Sequence, residues 1–186
     1  MASSVEICNM ALSLLGQEHV MTLDDTSKSS RICKRLYEPT LEALLRSYPW
    51  TFAIKRVILS RDTDTPAFGF KYQFTIPSDC MRIVSINILD GLFNIESNKI
   101  LTNYDVIQMR YVYKTASAAE FDAQFIHVLS LRLAKVMCQS LTADPDLFSR
   151  LAQLEAQALL AAQNTNAIET STQPVEEGPW IPSRYL

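Results

Sequence analysis

The residues that could carry catalytic chemistry are few. Only two histidines occur, and His127 lies beside Val128 and Leu129 in an apolar helical pattern that favours a structural role. The other, His19, lies in a stretch with the composition of a loop. Motifs typical of serine hydrolases, zinc proteases and phosphate-binding loops are missing, and 4 glycines are few for a loop that cradles phosphates. We therefore predict no catalytic residue and no enzymatic activity.

Three carboxylate pairs could bind a metal ion or work as an acid and a base. Each pair lies where a turn or a helix cap accounts for it. They are Asp24/Asp25, Asp62/Asp64 and Asp144/Asp146. The glycine and glutamate that a calcium loop needs at fixed offsets do not follow Asp62. The sequence therefore predicts neither a metal site nor a cofactor.

The cysteines have no spacing that is typical of metal ligands. Cys8, Cys33, Cys80 and Cys138 are far apart, and no Cys-x-x-Cys pair occurs. Three of them fall in apolar periodic stretches, where free cysteine behaves as a small buried hydrophobic residue. We predict four reduced thiols in the core. Nothing in the sequence indicates a histidine that would activate one of them as a nucleophile.

Charge restricts the partners. The 186 residues carry 17 basic and 20 acidic side chains, and residues 151–186 hold four of the acidic ones but only one basic one. Residues 1–150 therefore carry 16 of each sign, whereas a tight DNA binder clusters its lysines and arginines. The nearest cluster, Arg31, Lys34 and Arg35, lies on a predicted helix face that also bears Glu38. We expect DNA to pass this protein without sequence-specific binding.

Hydropathy patterning predicts a soluble protein that folds inside the cell. No apolar run approaches the roughly 18 residues that a membrane helix needs. The first ten residues, MASSVEICNM, lack the basic region and the long apolar stretch of a signal peptide. We therefore expect no membrane partner.

Helical periodicity occupies both ends of the sequence. Capping-box spacing at Ser3/Glu6 and at Ser117/Glu120 marks two helix starts, and Asp144 before Pro145 marks a third. Pro39 predicts a kink or a break inside the second helix. The predicted helices cover residues 3–15, 25–48, 117–141 and 144–166.

The middle of the sequence alternates with period two, which is typical of strands. Phe70, Tyr72, Phe74 and Ile76 alternate with polar residues and predict a half-buried strand. Further strands are predicted at 51–60, 81–89 and 108–113, with turns at Asp90–Gly91 and Ser97–Asn98. Together these segments predict one small antiparallel sheet of about five strands.

These elements predict an α+β fold. Residues 1–50 and 116–166 form a domain like a four-helix bundle, residues 51–115 form a β-sheet insertion, and residues 167–186 form an extended C-terminal tail. The tail has a spacer rich in proline and glycine before its apolar end. We predict that this end docks on a partner instead of remaining disordered in water. The predicted docking residues are Trp180, Ile181, Arg184, Tyr185 and Leu186.

Three stretches, in this order and spacing, carry a family resemblance. They are NMAL at 9–12 followed by Leu15-Gly16, LRSYPWTFA at 45–53, and YQFTIPSDCMR at 72–82. The start of the third helix at 121–125 and the terminal PWIPSR at 179–184 add to the set. Together they resemble the tail tubular protein A family of tailed bacteriophages, which are head–tail adaptors.

The resemblance implies a structural virion protein. It implies a twelvefold ring of copies that binds the portal protein, contacts a downstream tail or nozzle protein and surrounds the DNA channel. The location implied is the head–tail junction of the virion, after assembly in the host cytoplasm. Independently of the resemblance, Pro49 ends the second helix, and we predict that the large side chains of Trp50 and Phe52 join the bundle to the sheet. Because the sheet region is compact, the tail type and the tail-side partner stay open.

Two other functions remain open at this point. The chain could be a tail-completion or neck protein that never touches the portal. It could also be a small nucleic-acid-binding module in which Phe70, Tyr72 and Phe74 stack on bases. We favour a core role for these aromatic side chains, since they share one face with Ile76.

Overall fold

The structure is a computed structural model that describes residues 3–88, 92–115 and 117–170. Helices at both ends of the chain bracket six strands, which confirms the predicted α+β class. Within the described residues, no helix combines the length and the apolarity that crossing a membrane requires. The helices are α1 Ser4–Leu14, α2 Lys28–Ser47, α3 Ala123–Leu141 and α4 Pro145–Glu169, and the strands are β1 Ile54–Leu59, β2 Tyr72–Thr75, β3 Cys80–Ile86, β4 Phe93–Glu96, β5 Lys99–Thr102 and β6 Ile107–Tyr113.

Local capping determines where the first and last helices begin. The Ser3 hydroxyl accepts from the Glu6 amide at 3.1 Å, and the Glu6 carboxylate accepts from the Ser3 amide at 2.7 Å. This reciprocal pair is the predicted capping box. The Asp144 side chain caps α4 by accepting from the backbone amides of Asp146 and Leu147, and Pro145 occupies the first helical position. Both predicted starts are confirmed.

Two predicted helix starts are wrong. Helix α2 begins at Lys28, with Ser27 as its cap, and it runs through Pro39 without a break. Ser117 caps only a short 3-10 turn, and α3 begins later, where Asp122 accepts from the amides of the first turn. The Glu120 carboxylate does not close a capping box, because it accepts from the hydroxyls of Tyr113 and Thr115 instead.

The strands form two sheets, not the single sheet that the sequence predicted. Sheet A has the order β1-β6-β3 and sheet B the order β2-β5-β4, and all pairs are antiparallel. Ser97 and Asn98 connect β4 to β5 with φ values of 47° and 63°, so this predicted turn is confirmed. The predicted first strand is shorter, since residues 51–53 form a 3-10 turn before β1. The predicted turn at 90–91 lies outside the described residues.

Sheet A separates two hydrophobic cores. Because side chains alternate along β6, Val112 packs into the helical core while Met109 and Tyr111 pack between the two sheets. Phe74 and Ile100 of sheet B complete the second core and are fully buried. Helix α3 is the central helix of the bundle and packs against each of the other three. Helix α4 extends to Glu169, three residues past the predicted end of the bundle.

We expect Phe74→Ala to lower the free energy of unfolding by about 3–5 kcal/mol, because it leaves a cavity in the core between the sheets. Phe68→Ala is the matched control, since the Phe68 side chain is 88% exposed in a loop. Its effect should stay within about 0.5 kcal/mol. Urea denaturation measures both values, and equal losses would contradict the assignment of Phe74 to the core.

Candidate functional site

The junction between the bundle and sheet A is built from aromatic side chains. Trp50 is buried, and its indole Nε1 donates to the Leu44 carbonyl oxygen at 3.1 Å. The Trp50 ring packs edge to face against the Phe125 ring, with 5.1 Å between the ring centroids. The Phe52 ring also packs edge to face against Phe125, at 4.9 Å. Pro49 precedes this cluster and is half-buried. The structure thus places all three predicted junction residues between α2 and β1.

The C-terminal end of α4 is attached to the same junction. The Asn166 side-chain oxygen accepts from the Thr51 amide at 2.9 Å and from the Thr51 hydroxyl at 3.0 Å. The Tyr48 hydroxyl donates to the Gln163 carbonyl oxygen at 3.3 Å. These bonds hold the last turns of α4 beside the start of β1. The role of Asn166 could not be predicted from the sequence, because no local motif marks it.

A buried carboxylate joins α3 to α4. Glu155 on α4 accepts from Arg132 at 2.5 Å and also from Lys135, both on α3. Burial by itself would raise the pKa of Glu155, but the hydrogen bonds from Lys135 and Arg132 outweigh it and hold that pKa below its usual value. Glu155 therefore stays charged inside the helix interface.

The outer surface of α4 has an unusual composition. Between Arg150 and Glu169 the only charged residue is Glu155, and its side chain is buried. Leu160 and Ile168 are 62% and 84% exposed on this surface. Its other members are small or amide side chains, apart from Leu154, which is 48% exposed. We define the α4 surface as the exposed residues Gln153, Leu154, Ala156, Gln157, Leu160, Ala161, Asn164, Ala167 and Ile168.

A groove of about 650 Å³ runs along one side of the α4 surface. Its walls are largely apolar and come from α1, α3 and α4. His127 lines this groove, and its side chain is exposed. Among the described residues it forms no ion pair with a carboxylate. The aliphatic side chains that line the groove are Leu14, Ala123, Leu131, Leu154, Ala158 and Ala161.

One carboxylate of each predicted pair forms an ion pair or caps a helix. Asp24 pairs with Lys34 at 2.7 Å, and the hydrogen bond and charge of Lys34 lower the pKa of Asp24. Asp62 pairs with Lys99 at 3.0 Å, and Asp144 accepts from two amides at the start of α4. Across residues 3–88, 92–115 and 117–170 no three potential ligands converge on a metal position.

One contact resembles a nucleophile and its base. The Ser13 hydroxyl lies 2.6 Å from His19 Nε2, a pair that the sequence analysis did not identify. Both side chains are exposed, and the hydroxyl also donates to the Asn9 carbonyl oxygen at 2.9 Å. The ring has no carboxylate partner among the described residues, so this pair lacks the orienting third group of a catalytic triad.

The thiols are free, and three of the four are buried. The hydrogen bond with the neighbouring Cys33, together with burial, raises the pKa of the Cys8 thiol, which makes that group a poor nucleophile. Cys80 is half-buried at the start of β3, so it is less enclosed than predicted.

Two predicted binding regions remain, the tail and the proposed base-stacking strand. The predicted docking residues Trp180, Ile181, Arg184, Tyr185 and Leu186 lie outside the described residues. Phe74 is fully buried, while Tyr72 and Phe70 are half-buried. The expected core role therefore holds for Phe74, which has no exposed ring on which a base could stack.

Comparison with known proteins leaves the family open. No protein-family model matches the chain, and no curated protein matches it. The similarity to tail tubular proteins therefore rests on the motifs alone.

We expect the stability contributed by Glu155 to depend on pH. Its pKa is lowered in the folded chain, so the contribution is complete above the ordinary carboxyl value of 4.5. It is lost as the pH falls through the lowered folded value. Glu155→Gln should therefore cost about 1–3 kcal/mol at pH 7 and progressively less below pH 4.5.

The control for this series is Glu169→Gln, which removes an exposed carboxylate from the end of the same helix. Urea denaturation of the three proteins across the acid range measures the effect. A cost of Glu155→Gln that is constant with pH would show that packing, and not charge, gives Glu155 its role.

Proposed function

We propose that this protein is a head–tail adaptor of a tailed bacteriophage, which assembles as a ring under the portal and surrounds the DNA channel. The observation that carries the proposal is the uncharged α4 surface with its apolar groove. Exposed apolar surface of this kind is typical of protein contacts. The motif resemblance supplies the class of assembly.

Ring formation needs two different surfaces on each copy, because one side of a subunit must fit the other side of the next. Helices α2 and α4 pack on α3 and provide such different surfaces. The exposed part of α2 is strongly charged and includes Arg31, Lys34, Arg35 and Glu38. The α4 surface, in contrast, is uncharged. The bundle thus has the asymmetry that a head-to-tail ring requires.

The charge distribution is compatible with a channel for DNA. Basic and acidic side chains are equal in number over residues 1–150, and some of them pair, as in the contacts of Lys114 with Glu38 and Glu42 at 3.3 and 2.6 Å. Long basic stripes would bind the phosphate backbone and slow its passage. A body with balanced charge supports the proposed sliding of double-stranded DNA without sequence-specific binding.

Partner contacts are assigned by the proposal as follows. The α4 surface packs against a neighbouring copy, and a tail or nozzle protein binds on the side away from the portal. Residues 173–186, with Trp180 and Tyr185, dock during assembly on the portal or on a neighbouring copy. The mature location is the head–tail junction of the virion.

The test is electron microscopy of the chain mixed with the portal protein of the same genome. A new ring layer on the narrow end of the portal, with matching symmetry, is the expected result. Bare portals beside free protein would contradict the proposal and favour the tail-completion or neck function. A variant lacking residues 173–186 should remain folded and join the portal poorly.

Leu160→Glu should prevent ring formation while the monomer keeps its stability, because the new charge is desolvated only when the α4 surface is covered. Met21→Glu is the matched control, since Met21 is 92% exposed in a loop of the described chain. We expect at least about a tenfold loss of assembled rings for the first variant and none for the second. Normal rings from Leu160→Glu would exclude the α4 surface as the subunit contact.

A further inference from the structure

Two arginines lie opposite each other on the face of sheet A that also carries Val112. The register places Arg56 of β1 directly opposite Arg110 of β6, and Ser85 of β3 pairs with Arg110 on its other side. Like charges that lie directly opposite in an antiparallel pair destabilise it. Among the described residues, no carboxylate lies within salt-bridge distance of either guanidinium. The arrangement therefore has a cost that the described fold does not offset.

The Arg110 side chain carries a second sign of incompleteness. Its Nε atom is buried and has no hydrogen-bond acceptor within the described part of the chain. A buried donor that is left without an acceptor destabilises a fold. Native proteins satisfy the great majority of such groups. An oxyanion in the recess would supply this acceptor once the Arg110 side chain turns its Nε–H towards the recess.

The surroundings form a recess that suits an oxyanion. It has a volume of about 480 Å³ and lies across all three strands of sheet A. Its described lining contains no carboxylate, and the polar groups beside the arginines are Ser85, Asn87 and Gln108. Two planar guanidinium groups match the geometry of carboxylates and phosphates. The recess is therefore a candidate site for one or two carboxylates.

The sequence after Thr170 contains an acidic pair, Glu176 and Glu177. The end of α4 is held beside the start of β1, because Asn166 binds the Thr51 amide and hydroxyl. The seven residues from Thr170 to Glu177 can extend about 24 Å, and the five from Thr51 to Arg56 cover at most about 17 Å. Thr170 lies one helical turn, about 6 Å, beyond Asn166, and the excess of about 7 Å in chain length covers that turn. The acidic pair is therefore within reach of the recess in the same chain.

We infer that the recess between Arg56 and Arg110 binds the Glu176-Glu177 segment of the same chain. Charge complementarity and chain length select this occupant. Strand β1 is an edge of sheet A, so it also offers main-chain groups to a segment that passes along it. DNA phosphate is the less suitable ligand, because the recess holds only two basic groups and is partly apolar, with Ile58 67% exposed beside them. This contact belongs to the chain before assembly, when residues 173–186 have not yet docked on a partner, so the inference does not depend on ring assembly.

The test compares full-length variants by NMR of the arginine Nε–H groups and by thermal unfolding. Glu176→Gln with Glu177→Gln should shift the Arg110 Nε–H signal and lower the melting temperature by about 1–3 °C. The same pair of changes should have no effect when Arg56→Gln and Arg110→Gln are already present. Glu169→Gln, which removes a described exposed carboxylate outside the segment, is the matched control and should change neither quantity.

A further variant separates binding from structure. Arg56→Glu places a carboxylate opposite Arg110, so it should raise the melting temperature and remove the effect of Glu176→Gln with Glu177→Gln. Dilution should leave the Arg110 signal unchanged, because the segment belongs to the same chain. A signal that weakens on dilution would overturn the inference in favour of a neighbouring copy.

Two other outcomes would also overturn the inference. If Asp90→Asn moves the arginine signals and the Glu176/Glu177 variant does not, the recess is satisfied by the chain after β3. If only a DNA duplex of about 20 base pairs moves them, and does so less at high salt, the ligand is phosphate. Each result requires that the variant retain the wild-type spectrum away from sheet A, so that a folding defect is distinguished from lost binding.

Discussion

Strand β6 is the constraint on which the rest of the structure depends. It is the central strand of sheet A, with β1 on one edge and β3 on the other. Its two faces belong to different cores, because Val112 faces the helices and Tyr111 faces sheet B. A shift of one residue in its register would exchange these faces and place Gln108 and Arg110 in the core between the sheets. Bundle and sheets are therefore specified together through one strand.

The helices divide their work between stability and contact. Helix α3 contributes buried residues to almost every turn of the bundle, whereas α4 buries a single stripe that includes Glu155. A buried carboxylate with two cationic partners adds little net stability compared with apolar packing. It does determine which face of α4 points inward, since an unpaired Glu155 would be costly. The orientation of the uncharged α4 surface follows from that choice.

Local chemistry made the element types predictable. The caps at Ser3 and Asp144 and the turn at Ser97–Asn98 each involve residues within three or four positions, so the sequence alone sufficed. The division into two sheets did not follow, because it depends on pairing between distant strands such as β1 and β6. The capping box of Ser117 and Glu120 was predicted wrongly, because the Glu120 carboxylate accepts from the hydroxyl of Tyr113 on β6 instead.

The candidate site was predictable only where residue type alone was informative. Trp50 and Phe52 were identified from their size and position after a proline, and the structure places them at the junction. Asn166 and the facing arginines were missed, because their role arises from spatial neighbours far away in the chain. The α4 surface was not predicted from the sequence either. Its exposure depends on which helices pack beside it.

The bond from Asn166 to Thr51 also has a mechanical meaning. A pull on the chain beyond Thr170 would first unwind the last turn of α4. Asn166 resists this unwinding, because its side chain accepts two hydrogen bonds from Thr51, three residues before β1 begins. The applied force is then divided between α4 and the segment that leads into β1, so it does not unwind α4 turn by turn from its end. The two hydrogen bonds of Asn166 therefore protect the end of α4 against a force that is applied beyond Thr170.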